Sequence, residues 1–296
     1  MNSGLDMIAC MPRKLLRVSL GGAAALVAGW WHGWSPSPAQ AQRRVRQARC
    51  ETQVCLPTRP VAVHLTGFGP FGSVTDNPTS ALCRVLRALV DDGRSPPGVP
   101  ENIVREFLAA GISLEGLDAL EVSAQACRTA VPFIVQSLTA RPGEPKGCRA
   151  IVHLGVSSQS GPQLNLECRG FNVADFRIPD ARGWQPRGEA VVATGKAQLF
   201  TTLALPELLA ELHDRGVNCQ ISTDPGRYLC NYIFYTSLHA AGPEGIPVLF
   251  VHVPPFETME QTGQVTGVLC LLIAIARQLR GAPNRVSLSE TSRPLG

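Results

Sequence analysis

Three residues of this 296-residue chain could together carry out acyl-transfer chemistry: Cys230, His252 and Glu167. Cys230 lies in "STDPGRYLCNYIFYTSL", residues 222–238. Asp224-Pro225-Gly226 reads as a turn, and the apolar run after it predicts a helix over 227–242. Cys230 then falls in the first helical turn, where unpaired N–H groups and the macrodipole favour a thiolate. A cysteine on a helix is also ordinary core filling, and in an oxidising compartment it can be half of a disulfide. The residue alone leaves all three readings open. A nucleophilic cysteine needs a base, and His252, in "FVHVPP", ends a buried-type strand. A parallel neighbour would bring it to the same edge of a sheet, although a histidine among apolar residues is commonly a core histidine. Glu167, in "LNLECRGFN", follows the strand that ends at Gly155 and could orient the imidazole. Taken alone, it reads as an exposed loop carboxylate.

These residues need a scaffold, and the hydrophobic pattern supplies one. It predicts a strand at 61–66, a Gly/Pro-rich loop at 67–78 and a helix at 79–91. Residues 92–117, with "DDGRSPPGVPEN", read as a surface insertion holding one helix at 101–110. A strand at 119–124 and a helix at 127–140 follow. Then come a strand at 148–156, a helix at 199–216, the strand "VNCQIST", the Cys230 helix, the strand in "PVLFVHVPP" and a helix at 261–280. Strands alternate with helices, and the strands are solidly apolar. This predicts an α/β fold, a three-layer α/β/α sandwich around a mostly parallel, mixed sheet. In such sheets, sites gather at the carboxyl ends of strands.

Composition narrows the function. Apolar residues make up 45% of the chain, charged residues 17%, and the net charge is +4. Much of that charge comes from Arg43, Arg44, Arg46 and Arg49, so no nucleic-acid footprint is expected. The N-terminus has Arg13, Lys14 and Arg17, then an apolar run from Val18 to Trp31. That run is shorter than the roughly 20 residues of a membrane span. Ala39-Gln40-Ala41 has the small-x-small form of a signal cleavage site. The expected organisation is a signal peptide at 1–41, a basic Cys-containing extension at 42–60, a folded domain at 61–282 and a polar tail at 283–296. The protein is expected to be exported, periplasmic or secreted, with no stable membrane span after cleavage; the alternative is an uncleaved membrane anchor. Of the ten cysteines, Cys10 would leave with the signal. Setting Cys230 aside, Cys50, Cys55, Cys83, Cys127, Cys148, Cys168, Cys219 and Cys270 remain, an even number that permits disulfides without specifying any. No C-x-x-C occurs and no His/Cys group has zinc spacing, so no metal site and no cofactor are expected.

Several separated segments then point one way. "TGFGPFG" with Asn77-Pro78, "VHLGVS", the run "LE", "FN", "RIPD" and "QP", the cysteine segment, and "FVHVP" occur in that order across residues 61–280. Together they resemble the pyroglutamyl peptidase I family of cysteine peptidases, the pyrrolidone-carboxylate peptidases. The resemblance implies that 61–282 is a catalytic domain cleaving the amide after an N-terminal pyroglutamyl residue through a thioester. It makes Cys230 the nucleophile, His252 the general base and Glu167 the orienting carboxylate. It gives Arg177 electrostatic support, places Phe68, Phe71 and Tyr228 against the lactam ring, and gives Asn77 a contact to substrate backbone. The implied partners are small peptides with N-terminal pyroglutamate, and a homo-oligomer is left open. The chain departs from the family in its export signal, in Pro225, in a slightly longer "GVSSQSGPQLNLE" and in the length of 92–117. Two alternatives follow from these departures: a same-scaffold amidase with altered acyl specificity, or an exported, non-catalytic binder of pyroglutamyl peptides. Cys168, beside Glu167, also raises the question of a disabling disulfide in an oxidising compartment.

Overall fold

The computed structural model describes residues 60–281, apart from 73, 140–147 and 160. The signal expected at 1–41, the tail expected at 283–296 and all but the last residue of the extension expected at 42–60 lie outside the described residues, as do Cys50 and Cys55.

The sheet that positions the site has six strands. They are β1 (Val61–Phe68), β2 (Ile112–Leu120), β3 (Cys148–Val156), β4 (Leu164–Glu167), β9 (Cys219–Ser222) and β10 (Val248–Val253), in the order β2-β1-β3-β10-β4-β9. β2, β1, β3 and β10 run parallel, β4 runs antiparallel to β10, and β9 follows β4. Side chains alternate between two buried faces. On one face Leu65, Val152, Leu154, Leu166, Leu249 and Val251 meet α1 (Pro78–Asp92), α2 (Glu101–Ala109), α4 (Leu205–Asp214) and α6 (Gln261–Gly281). On the other face Ile151, Val248 and Phe250 meet α3 (Ala124–Leu138) and α5 (Leu229–Ala241). This is the expected three-layer sandwich around a mostly parallel, mixed sheet. α6 is apolar and long enough to cross a membrane, yet 67% of its 18-residue apolar stretch is buried inside the fold, as befits a core helix. Between β4 and β9 the chain forms two small ribbons. One pairs β5 (Arg169–Phe171) with β8 (Gln198–Phe200), the other β6 (Ala174–Asp175) with β7 (Arg187–Glu189).

The structure moves two of the expected elements. The strand expected at 119–124 is β2, at Ile112–Leu120. β2 is an edge strand whose side chains alternate between half-buried and exposed, so it lacks the apolar run that marks the central strands. The helix expected at 199–216 spans only Leu205–Asp214, and residues 198–200 are strand. Pro206 sits in the first turn, where its missing N–H costs no hydrogen bond, and so marks the true start.

Candidate active site

Two strands and a helix build the site. Three helical turns of mostly apolar residues fix α5 on the sheet, with Leu229, Tyr232, Ile233 and Phe234 buried. Tyr228 is its N-cap residue and its side chain caps nothing. Cys230 is therefore the second residue of the helix, beside N–H groups that the helix does not pair internally. Its sulfur rests over Gly155 of β3. A Cβ added at Gly155 would lie 3.0 Å from Cys230 Sγ and 2.5 Å from Phe250 Cζ. Only a glycine leaves that space. Gly155 is the register partner of His252 on β10, so sulfur and imidazole meet on one face of adjacent strands. The His252 ring is hydrogen-bonded to Glu167, and the neighbouring Cys230 acts on it electrostatically.

Strand parity explains Glu167. It opposes Phe250, so it lies diagonal to His252 on the same sheet face. The His252 Nδ1 to Glu167 Oε1 distance is 2.7 Å, which leaves Nε2 for the sulfur. Glu167 is 1% exposed, and its second oxygen, Oε2, has no hydrogen-bond partner among the described residues. The reading of this residue as a loop carboxylate at the carboxyl rim is corrected. Glu167 is a buried strand residue, and because β4 runs antiparallel it lies below the rim rather than on it. His252 is raised to about 10. Burial alone disfavours the cation, but Cys230, then the hydrogen bond and charge of Glu167, outweigh it. The arrangement can hold a proton on the imidazole.

The other expected residues fall in different places. Phe71 is half-buried and faces Tyr228, with ring centroids 6.4 Å apart. Tyr228 packs edge-on against Phe176 at 4.7 Å and donates from its hydroxyl to Pro179 O at 3.1 Å. Its phenol is pushed up to about 12, first by burial and then by the charges of Asp180 and Cys230; Arg177 opposes the shift. Arg177 is exposed and makes no ion pair among the described residues. Phe68 differs from Phe71. It is 5% exposed and packs into the core on the α3/α5 face, so the opening loop presents one open aromatic face, not two. Asn77 spends its side chain on structure. Its Oδ1 accepts from Thr79 N at 3.0 Å and from Thr79 Oγ1 at 2.8 Å, and its Nδ2 donates to Gly69 O at 3.1 Å. Asn77 therefore caps α1 and closes the loop, a role that its position before Pro78 announces. The tight join continues at Gly67, where a Cβ would lie 2.6 Å from Thr79 O.

Sequence reasoning missed three supports. Gly155 is the first, signalled only as a glycine near the end of an apolar strand. Asn231, next to Cys230, is fully buried: its Oδ1 accepts from Phe171 N at 2.7 Å, and its Nδ2 donates to Phe171 O and Val173 O at 2.8 and 2.9 Å. It ties α5 to the segment that follows Glu167. Asp180 is the third. Its carboxylate accepts from Ala124 N, Arg182 N and Trp184 N at 2.9, 2.9 and 3.0 Å, holding the segment against which Tyr228 hydrogen-bonds. A polar residue inside an apolar helix, and an acid ending "RIPD", were the available signals.

All seven described cysteines, at 83, 127, 148, 168, 219, 230 and 270, are free thiols. Cys168 packs with the α1/α6 face and Cys230 with the α3/α5 face, so the sheet separates them.

Gly155→Ala is expected to lower kcat by about 100-fold through displacement of the sulfur, and to destabilise the fold by about 1–3 kcal/mol through overpacking. Kinetics per folded molecule, beside a thermal melt, check this; activity within about threefold of the parent contradicts the packing argument.

A Cys-His-Glu line on a three-layer α/β/α sheet defines a cysteine hydrolase, and comparison with known proteins makes the class specific. Residues 147–281 match the family described as pyroglutamyl peptidase. The chain is 31% identical over 192 residues to a pyrrolidone-carboxylate peptidase of Vibrio vulnificus, covering 65% of this chain and 77% of that relative. It is 33% identical over 195 residues to one from Chromobacterium violaceum, with the same coverage. The crystal structure of the pyrrolidone carboxyl peptidase from Thermus thermophilus superposes with a TM-score of 0.54 at 30% identity, covering 72% of this chain and 98% of that one. The chain belongs to the pyroglutamyl peptidase family.

Proposed function

We propose that this protein removes pyroglutamate from the N-terminus of peptides, with Cys230 as nucleophile, His252 as general base and acid, and Glu167 as the group that orients His252. The observation that carries this reading is the convergence on His252 of the buried Glu167, at 2.7 Å, and of Cys230, whose sulfur lies over Gly155, the register partner of His252. Cys230 Sγ attacks the pyroglutamyl carbonyl carbon after its proton has moved to His252 Nε2. The backbone N–H groups at the start of α5 face the developing oxyanion. The tetrahedral intermediate collapses, the C–N bond breaks, and His252 passes its proton to the leaving amine. His252 then takes a proton from water, which attacks the thioester. Pyroglutamate leaves and the thiol is regenerated.

Specificity in this reading is largely apolar, because the lactam is neutral. Phe71 and Tyr228 offer the open aromatic wall, with Phe68 behind it in the core and Asn77 holding the loop in place. Arg177, exposed and without an ion pair among the described residues, supplies positive potential at the mouth near Tyr228. Residues 1–41 direct export and are removed, and the enzyme works in the periplasm or outside the cell. The seven free thiols and the separation of Cys168 from Cys230 by the sheet are compatible with activity there.

The test is to recover the protein from periplasm or medium, read its N-terminus, and offer it fluorogenic pyroglutamyl, prolyl and acetyl-amino-acid amides with and without reductant. A mature start at Gln42 and a strong preference for the pyroglutamyl amide are expected. An intact N-terminus on the cytoplasmic protein would refute export, and no preference for pyroglutamyl would refute the substrate assignment.

A further inference from the structure

A second polar line lies beside the first and takes no part in the steps above. His153 on β3 is fully buried, yet both of its ring nitrogens are partnered. Nδ1 lies 2.7 Å from Thr66 Oγ1 on β1, and Nε2 lies 2.8 Å from Ser237 Oγ on α5. A neutral imidazole donates from one nitrogen and accepts at the other, and each hydroxyl can take the complementary role. The ring is held neutral, its pKa brought down to about 3 by burial first and by nearby His64 second. Such a group is a fixed strut rather than a titrating one.

The strut sits in register with the nucleophile. His153 and Gly155 are two positions apart on β3 and face the same side of the sheet. Ser237 and Cys230 are seven positions apart on α5, two helical turns, and so share one stripe of that helix. One strand and one helix thus meet at two matched points: Cys230 over bare Gly155, and Ser237 on His153. Thr66, the other end of the strut, lies two residues before Phe68, the last residue of β1, after which the loop bearing Phe71 begins. We propose that His153, through Ser237 and Thr66, is a positioning residue that sets the placement of α5 on the sheet and therefore the reach of Cys230 Sγ to His252 and to the acyl group held by the opening loop.

The proposal rests on Cys230 being the nucleophile. The test uses Ser237→Ala, Thr66→Val, the double variant and Thr66→Ser, each assayed as the full protein with its folded fraction measured. Two readouts are needed: kcat and KM on a pyroglutamyl amide, and the iodoacetamide rate at Cys230, resolved by peptide mass spectrometry. Ser237→Ala and Thr66→Val are each expected to lower kcat per folded molecule about tenfold, with KM within about twofold, because sub-ångström shifts at the attacking atom act on the chemical step. Alkylation of Cys230 should slow in parallel. Thr66→Ser, which keeps the hydroxyl, should restore both. The double variant should lose less than the product of the single losses, because both act through one ring. A fall in melting temperature with kcat and alkylation unchanged would make the strut merely structural and overturn the proposal, as would independent losses in the double variant. If the parent protein hydrolyses no pyroglutamyl amide, the substrate reading fails, and the alkylation rates still decide whether the strut positions the sulfur.

Discussion

Cys230→Ala is expected to lower kcat on a pyroglutamyl amide by at least about 10,000-fold while leaving the protein folded. The loss is large because no bond to the acyl carbon can form without the sulfur, and what remains is binding and the oxyanion donors. The fold should tolerate the change, because alanine is the best helix former and Cys230 is only half-buried at the start of α5. A side effect should be visible at His252. The raised imidazole owes its shift to Cys230 before Glu167, so removing the sulfur should bring its pKa down, a change that NMR titration of the ring can follow. Cys230→Ser keeps the shape but supplies a weaker nucleophile, and it should lie close to Cys230→Ala. Appreciable turnover in either variant would remove Cys230 from the mechanism.

Glu167→Gln should cost about 100- to 10,000-fold in kcat, less than loss of the sulfur, with little change in KM. The surroundings of the carboxylate dictate which way the amide turns. Oε1 bonds to His252 Nδ1 at 2.7 Å, while Oε2 is buried with no partner among the described residues. If the amide NH2 took the Oε2 position it would be an orphan donor, costing about 1–3 kcal/mol. The amide should therefore leave its oxygen in the empty position and point its NH2 at Nδ1. An N–H there forces the ring proton onto Nε2, the nitrogen that must receive the thiol proton. The variant should fold and bind substrate, yet hold its base in the wrong tautomer. A loss below about threefold, or one equal to that of Cys230→Ala, would contradict this division of labour.

The sequence carried the reacting groups further than it carried their supports. Cys230, His252 and Glu167 are chemically distinctive, the spaced segments singled out each one, and the fold brings the three side chains together. The central strands were readable for a related reason: buried on both faces, they are continuous apolar runs. β2 was misplaced because an edge strand lacks that run. The antiparallel direction of β4 was not readable at all, since four residues carry no sign of strand polarity, and with its register it decides that Glu167 sits diagonal to His252. Gly155, His153 and Asn231 act through register and close approach between elements far apart in the chain. Their letters were on view, but what each one touches depends on which strands pair and at which offset. Phe68 and Asn77 show the converse. Both belong to a recognisable segment, and only the structure shows that Phe68 ends β1 as a core side chain while Asn77 is a helix cap.

The most direct measurement is acid quench of the enzyme during turnover of a pyroglutamyl amide or ester, followed by peptide mass spectrometry. The account predicts a pyroglutamyl thioester on the peptide bearing Cys230, formed in the parent, accumulating when deacylation is slowed, and absent from Cys230→Ala. Turnover with no adduct at Cys230, or an adduct on a different side chain, would contradict it.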